Sequence, residues 1–170
     1  MESNLDFKII VDSKENIVKQ LISILKTTSD FMIGNTIAMT LIDNFKDERI
    51  ESCLVDLIHD PKWKMHNGTL LFALGEYTND SKYLYSLIDM ILKNEKDNNG
   101  EVFMGAYSMI LNLQPPFDRK EITRSIKRVK QEDQKKKITK QQRKLVNSLL
   151  SFLEGQRKIT KFYGQFFPKL

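Results

Sequence analysis

The sequence is poor in the residues that cross-link small folds or anchor chains in membranes. Cysteine occurs once among 170 residues, as Cys53, so a disulfide framework is excluded and a reducing compartment fits. No apolar run approaches the roughly 18 residues that a membrane-spanning helix needs. The first ten residues lack the basic start and apolar stretch of a secretory signal. These absences together favour a cytoplasmic protein.

Signatures of catalysis are missing as well. The sequence has no HExxH or CxxC metal motif, no GxSxG nucleophile motif and no phosphate-binding glycine loop. Its two histidines, His59 and His66, flank a turn at Asp60, and no second His–carboxylate cluster supports a metal site. Local hydrogen bonding around a turn explains them better. We therefore expect no metal, no cofactor and no enzymatic activity.

Alternating apolar runs bounded by hairpin turns, which predict strands, are almost absent too. Apolar residues instead recur at three- and four-residue spacing, which is typical of amphipathic α-helices. Three such stripes occupy residues 17–25, 50–58 and 84–92. Each is followed by a second, more uniformly apolar segment, and the pattern therefore predicts consecutive helix pairs.

Glycine holds the same place in the second segment of the first three pairs. Gly34, Gly68 and Gly105 are spaced 34 and 37 residues apart, and Arg143 takes the corresponding place in a fourth pair. A repeat of this length is typical of stacked helix pairs. The glycines could let a ligand approach the backbone, but their recurrence favours close packing between helices.

The predicted fold is all-α, with seven or eight helices in a single domain over residues 1–170. Asp30 and Asp118 are expected to cap helices, Thr139 and Gln142 to form a capping box, and Gly155 to end the last helix. The predicted parts are an extended N-terminal arm at 1–12, three regular repeats at 14–117, an atypical basic fourth repeat at 118–155, and an aromatic and basic tail at 156–170 that folds back over the open end.

Residues 57–77, LIHDPKWKMHNGTLLFALGEY, resemble a HEAT repeat. The segment departs from the usual pattern after Pro61, where it is one residue longer and carries His66 or Asn67 in place of a common arginine. The residues that carry the likeness are Leu54, Leu57 and Ile58 in the first helix, Asp60-Pro61 in the turn, and Ala73-Leu74-Gly75-Glu76 at the end of the second helix.

The resemblance covers about residues 14–154 and implies a right-handed α-solenoid of about four antiparallel helix pairs. HEAT-like proteins are mostly scaffolds that bind other proteins along a groove formed by their second helices. A few bind nucleic acid or act as DNA glycosylases, and small bacterial relatives can serve as immunity proteins that block a toxin. A glycosylase would need a cleft carboxylate with aromatic partners, and a single tryptophan argues against it.

Candidate partner-binding residues lie on or near the second helices, where the implied groove would form. Trp63 has two readings, because a buried tryptophan would pack between helices whereas an exposed one would be a binding hot spot. Tyr107 also fits either the groove or the core. The candidates are Trp63, His66, Asn67, Glu76, Tyr77, Glu101 and Tyr107.

The charge is divided unevenly along the chain. Residues 1–117 hold 11 Lys or Arg against 17 Asp or Glu, a balance of −6, whereas residues 118–170 hold 16 against 5, a balance of +11. The basic end is either a solvated end helix, which we favour, or a phosphate-binding surface. The candidate nucleic-acid-binding residues are Arg124, Lys127, Arg128 and Lys130.

These observations rank two functions. The first is a non-catalytic protein-binding module, and more narrowly an immunity or antitoxin-type protein whose acidic body masks a basic toxin, for example a nuclease, through complementary charge. The second is nucleic-acid binding by the basic C-terminal helices. No membrane partner is expected.

Overall fold

The computed structural model describes the backbone of residues 2–94, 100–135 and 139–166, and the side chains of residues 13–93, 100–135, 139–140 and 142–162. Most of these residues lie in eight α-helices, and none lies in a strand, which confirms the all-α prediction. The helices are α1 (Glu2–Thr27), α2 (Phe31–Asn44), α3 (Glu48–His59), α4 (Gly68–Tyr77), α5 (Leu84–Asn94), α6 (Gly100–Asn112), α7 (Arg119–Asp133) and α8 (Lys140–Phe166).

The helices pack as sequential neighbours around one apolar core. Contacts join α1 to α2, α3 to α4, α5 to α6 and α7 to α8. Helix α4 also lies between α2 and α6 and contacts both of them, while α1 contacts α3 and α5 contacts α7. All eight helices contribute buried apolar side chains to the core. We refer to α2, α4 and α6 as the inner helices.

Local signals in the sequence set several helix starts. The Asp30 carboxylate accepts hydrogen bonds from the Met32 and Ile33 amides at the start of α2. Asp118 caps α7 in the same way. At α8 the Thr139 amide donates to Gln142 Oε1 at 2.8 Å, and the Gln142 amide donates to Thr139 Oγ1 at 3.1 Å. These pairs confirm the predicted caps and the capping box.

The recurring glycines allow elements to approach closely, as their spacing predicts. A Cβ on Gly105 would lie 2.5 Å from the Gly68 carbonyl oxygen, so α4 and α6 cross almost backbone to backbone. A Cβ on Gly34 would overlap the Trp63 ring. In both places a Cβ would come closer to its neighbour than real Cβ atoms do, so only glycine fits without a shift of the neighbouring atoms.

Both predicted chain ends need correction. Residues 2–12, expected as an extended arm, belong to α1, and no glycine or proline between residues 2 and 27 interrupts that helix. At the other end α8 runs through Gly155 to Phe166, so Gly155 is not a helix end. The Thr160 hydroxyl donates to the Phe117 carbonyl at 3.3 Å and ties this extension to the core. Phe162 is exposed, and the side chains of residues 163–170 lie outside the described residues.

Candidate partner-binding surface

The inner helices share one solvent-exposed side. Each packs its other side against the first helix of its pair, so a stripe of residues at three- and four-residue spacing is left open on each. The Asn112 amide donates to Glu76 Oε1 at 3.1 Å and joins the stripes of α4 and α6. We call this surface the open face. It comprises Met32, Thr36, Thr40, Phe72, Glu76, Glu101, Met104, Tyr107 and Leu111.

Large apolar side chains dominate the open face. Met32 is 75% exposed, Leu111 65% and Met104 60%, and Phe72 and Tyr107 are exposed between them. Scattered apolar residues on a protein surface need no explanation, but a contiguous group marks an interaction site. Methionine side chains are flexible and polarizable, so they adapt to the shape of a partner surface.

The open face also has a one-sided charge. The inner helices contain no lysine or arginine, and their ionisable acids are Asp43, Glu76 and Glu101. Helices α7 and α8 are the opposite, with twelve Lys or Arg against four Asp or Glu. The negative balance of residues 1–117 is thus present on this surface, although five of its nine residues are apolar or aromatic and only two are charged.

Two predicted site residues are structural instead. Trp63 is fully buried, with its ring against Gly34 and edge-on to Phe31 at a centroid distance of 5.0 Å. Asn67 is also buried, and its Nδ2 donates to the Ile58 carbonyl at 2.9 Å. Neither side chain can contact a partner without unfolding the α3–α4 connection, so the packing reading of Trp63 is the correct one.

Tyr77 is half-buried and engaged in a local hydrogen-bond pair. Its hydroxyl accepts from the Asp47 amide at 2.6 Å and donates to the Asp47 carbonyl at 2.8 Å. This pair fixes the end of α4 to the connection between α2 and α3. Lys46 lies over the Tyr77 ring, with Nζ 5.3 Å from the ring centroid. Tyr77 therefore has a structural role, since it joins the end of α4 to the α2–α3 connection.

The other four predicted residues are exposed. Glu76, Glu101 and Tyr107 belong to the open face. His66 lies at its edge, where its ring stacks on Phe31 at a centroid distance of 4.0 Å. The structure thus brings four of the seven candidates to or beside one surface.

The basic candidates on α7 divide into two pairs. Lys127 and Lys130 are exposed. Arg124 donates to Glu121 at 2.8 Å and lies over the Tyr85 ring, 4.4 Å from its centroid. Arg128 is largely buried between α5 and α7. The Arg124 side chain is nonetheless 60% exposed, so Arg128 alone among these four residues is withdrawn from solvent.

Arg128 takes part in a partly buried ion network. Its Nε donates to Asp89 at 2.6 Å and its Nη1 to Glu132 at 3.2 Å, and Lys93 contacts the other Asp89 oxygen at 2.6 Å. Burial acts to raise the pKa of Asp89, but the hydrogen bonds from Lys93 and Arg128 outweigh it and hold that pKa below its usual value. The network joins α5 to α7.

The lone thiol and the possible metal ligands can be described directly. Cys53 is buried, and loss of solvation raises the pKa of its thiol to about 11, which makes it a poor nucleophile. The described side chains include no group of three His, Cys, Asp or Glu placed to hold a metal ion. In the same part of the chain, no helix combines the length and apolarity that a membrane crossing requires.

Sequence reasoning missed the apolar part of the open face, namely Met32, Phe72, Met104 and Leu111. The available signal was that the inner helices are apolar on more than one side. That pattern is typical of helices packed between neighbours on all sides, but one side of each inner helix faces solvent.

No protein-family model matches the chain, and no curated protein or solved structure is significantly similar to it.

Proposed function

We propose that the chain is a non-catalytic protein-binding module that binds its partner along the open face. We further propose that its four helix pairs form a right-handed, HEAT-like solenoid in which the inner helices line the groove. The proposed solenoid and the proposed binding function rest on the same observation, namely that the second helices of successive pairs lie side by side with one side exposed. A binding groove of a solenoid requires this arrangement.

The observation that carries this proposal is the set of exposed apolar side chains on the neighbouring helices α2, α4 and α6. Five large apolar or aromatic side chains, at 39–75% exposure, lie on three helices in direct contact. Leaving this area in water is unfavourable by roughly 25 cal/mol for each Å² that a partner could bury. A surface of this kind supports protein association better than binding of a charged small molecule or nucleic acid.

The partner is proposed to present an apolar surface bordered by basic residues. The open face offers two acids and no cation, so a basic partner would meet no like charge and would associate faster at low salt. A toxin domain whose substrate is nucleic acid has such a surface. We therefore propose, more narrowly, an immunity-type protein acting in the cytoplasm that neutralises a basic toxin.

The test compares two matched surface variants in capture experiments from native cells. Phe72→Ser combined with Met104→Ser removes apolar area from the open face, and Ile17→Ser removes an equally exposed apolar group from α1. A stoichiometric protein captured by the wild-type chain and the Ile17 variant, but at least about 10-fold less by the double variant, would support the proposal. Equal capture by all three would contradict it.

Neutralisation needs its own measurement. The captured protein, purified alone, should inhibit growth or degrade nucleic acid, and adding the wild-type chain should remove that activity. A captured protein without any toxic or nuclease activity would leave the binding module intact but contradict the immunity role.

Nucleic-acid binding by α7 and α8 is the second proposal. It is favoured by twelve basic residues on these helices, with Lys127 and Lys130 exposed. Filter binding at low salt should then fall steeply as salt rises and weaken when both lysines are changed to glutamine. Absence of retention at low salt would remove this proposal.

A further inference from the structure

A cleft lies at one end of the open face. It is formed where the N-terminal ends of α2 and α6 approach the α3–α4 connection, and it has a volume of about 760 Å³. Asp30, Phe31, Asn35, His66 and Glu101 line it, with Ser29 and Met32 at its border. The cleft is open to solvent and continuous with the open face through Met32 and Glu101.

The polar groups of the cleft are mainly hydrogen-bond acceptors. Asp30 and Glu101 each supply a carboxylate. The Asn35 amide oxygen is buried and accepts no hydrogen bond within the described part of the chain. The aliphatic part of Glu101 packs directly on Gly68, since a Cβ on Gly68 would lie 2.5 Å from the Glu101 Cγ. A ligand that donates several hydrogen bonds would match these groups.

The aromatic groups of the cleft add a flat apolar wall. Phe31 and His66 stack with their ring planes 22° apart, and Phe31 packs on the buried Trp63 from another side. The contact with Trp63 fixes the position of the stacked Phe31 and His66 rings. Planar cations stack favourably on such rings, and a guanidinium group does so more readily than an ammonium group.

An anionic ligand is disfavoured even though helix N-termini often bind anions. The Met32 and Ile33 amides at the start of α2 are already bonded to Asp30 Oδ1, at 2.9 and 3.2 Å. The two carboxylates would repel an anion. The nearby cation Lys62 donates to the Thr28 carbonyl and is not among the groups that line the cleft.

We propose that this cleft binds an arginine side chain of the protein partner, with the guanidinium stacked beside His66 and paired with Asp30 and Glu101. The inference rests on the proposed protein-binding function and assigns one anchor of that interface. Bidentate pairing with carboxylates and stacking on a ring are the two contacts that a guanidinium makes together and an ammonium does not.

The probe that tests this is N-acetylarginine amide, titrated into the purified chain and followed by NMR. We expect saturable shifts of the His66 ring and Asn35 amide signals, with a Kd of about 1–10 mM for so small a ligand. N-acetylnorleucine amide should give no saturable shift. Because this experiment needs no partner, its outcome is independent of whether capture through the open face succeeds.

Two charge-matched variants complete the test. Asp30→Asn with Glu101→Gln keeps the helix cap and the Glu101 stem but removes both charges, and should weaken binding of the arginine amide at least about 10-fold. Glu48→Gln with Asp56→Asn removes the same charge from exposed positions on α3, outside the cleft and the open face, and should leave the titration unchanged. The cleft proposal is overturned if the arginine amide gives no saturable shift, if N-acetyllysine amide binds equally well, or if the two double variants respond alike.

Discussion

The carbonyl oxygen of Gly68 occupies the space beside Gly105 that any larger residue would need. A Cβ on Gly105 would lie 2.5 Å from that oxygen and 3.0 Å from the Gly68 Cα. The obstacle is backbone, which cannot rotate aside as a side chain can. The contact between α4 and α6 therefore depends on glycine at both positions, and it sets the spacing of the open face.

Gly105→Ala is expected to destabilise the protein by about 1–3 kcal/mol, because overpacking outweighs the helix-propensity gain of alanine. Gly155→Ala is the matched control, since Gly155 also lies inside a helix but has nothing within 4 Å of its Cβ position. That substitution should stabilise by about 0.5–1 kcal/mol. Urea unfolding of both variants measures the difference, and stabilisation by both would show that the α4–α6 contact tolerates a methyl group.

Tyr77→Phe should cost about 1–3 kcal/mol of stability. Removing the hydroxyl leaves the Asp47 amide without its partner at 2.6 Å and the Asp47 carbonyl with only the Ile50 amide, at 2.9 Å. Tyr107→Phe, on the exposed open face, should change stability by less than about 0.5 kcal/mol. Thermal unfolding of the two variants checks this expectation. Equal losses of stability would mean that the hydrogen bonds between Tyr77 and Asp47 do not stabilise the fold.

Cys53 should be nearly inert in the folded protein. Its pKa of about 11 and its burial leave little thiolate at pH 8, so a thiol-reactive dye should label it at least about 100-fold more slowly than after unfolding in urea. The unfolded protein serves as the control for reagent quality. Rapid labelling of the native chain would indicate that the contact between α1 and α3 opens frequently.

The parts of the fold that sequence predicted are those set by local chemistry. Asp30, Asp118 and the Thr139–Gln142 pair act on amides two or three residues away, so their roles can be read from neighbours alone. The Gly68–Gly105 contact joins distant residues, and the sequence predicted close helix packing at these glycines, though not which residues meet, because glycine recurs at the same place in successive pairs.

The chain ends were mispredicted because their structure depends on distant contacts or on the absence of a stop signal. A single glycine costs a helix only about 1 kcal/mol, and α8 continues past Gly155 to a contact between Thr160 and Phe117, 43 residues away. Nothing near Gly155 reveals that contact. At the other end, Asp12 and Ser13 are residue types that favour caps over helix interiors, so they suggest a helix start although α1 continues through them.

The surface residues were the hardest to predict, because residue type does not tell an exposed apolar side chain from a buried one. Trp63 and Met104 are both large and apolar, but Trp63 is buried against Gly34 while Met104 is 60% exposed. Which of them faces solvent depends on which helices lie beside them. The candidate groove could therefore be placed on the second helices, but not resolved into its contact residues.

The ion network between α5 and α7 should make stability depend on pH through Asp89. A carboxyl whose pKa is lower in the folded than in the unfolded chain stabilises the fold above the unfolded pKa, about 3.9, and this contribution is lost as pH falls through the folded pKa. Asp89→Asn should therefore cost about 1–3 kcal/mol at pH 7, because it leaves the partly buried Arg128 with weaker pairing.

The matched control for that substitution is Asp56→Asn, which breaks the exposed pair with Lys26 and should cost less than about 0.5 kcal/mol. Urea unfolding at pH 7 and at pH 3 distinguishes the stability that the Asp89 charge contributes from the stability that its packing contributes. The stability gap between Asp89→Asn and the wild-type chain should shrink at pH 3, since that pH lies below the unfolded pKa of the carboxyl and part of its stabilising contribution is already lost. If the gap keeps its full size at pH 3, Asp89 supports the α5–α7 contact through its shape and hydrogen bonds, and its charge contributes little.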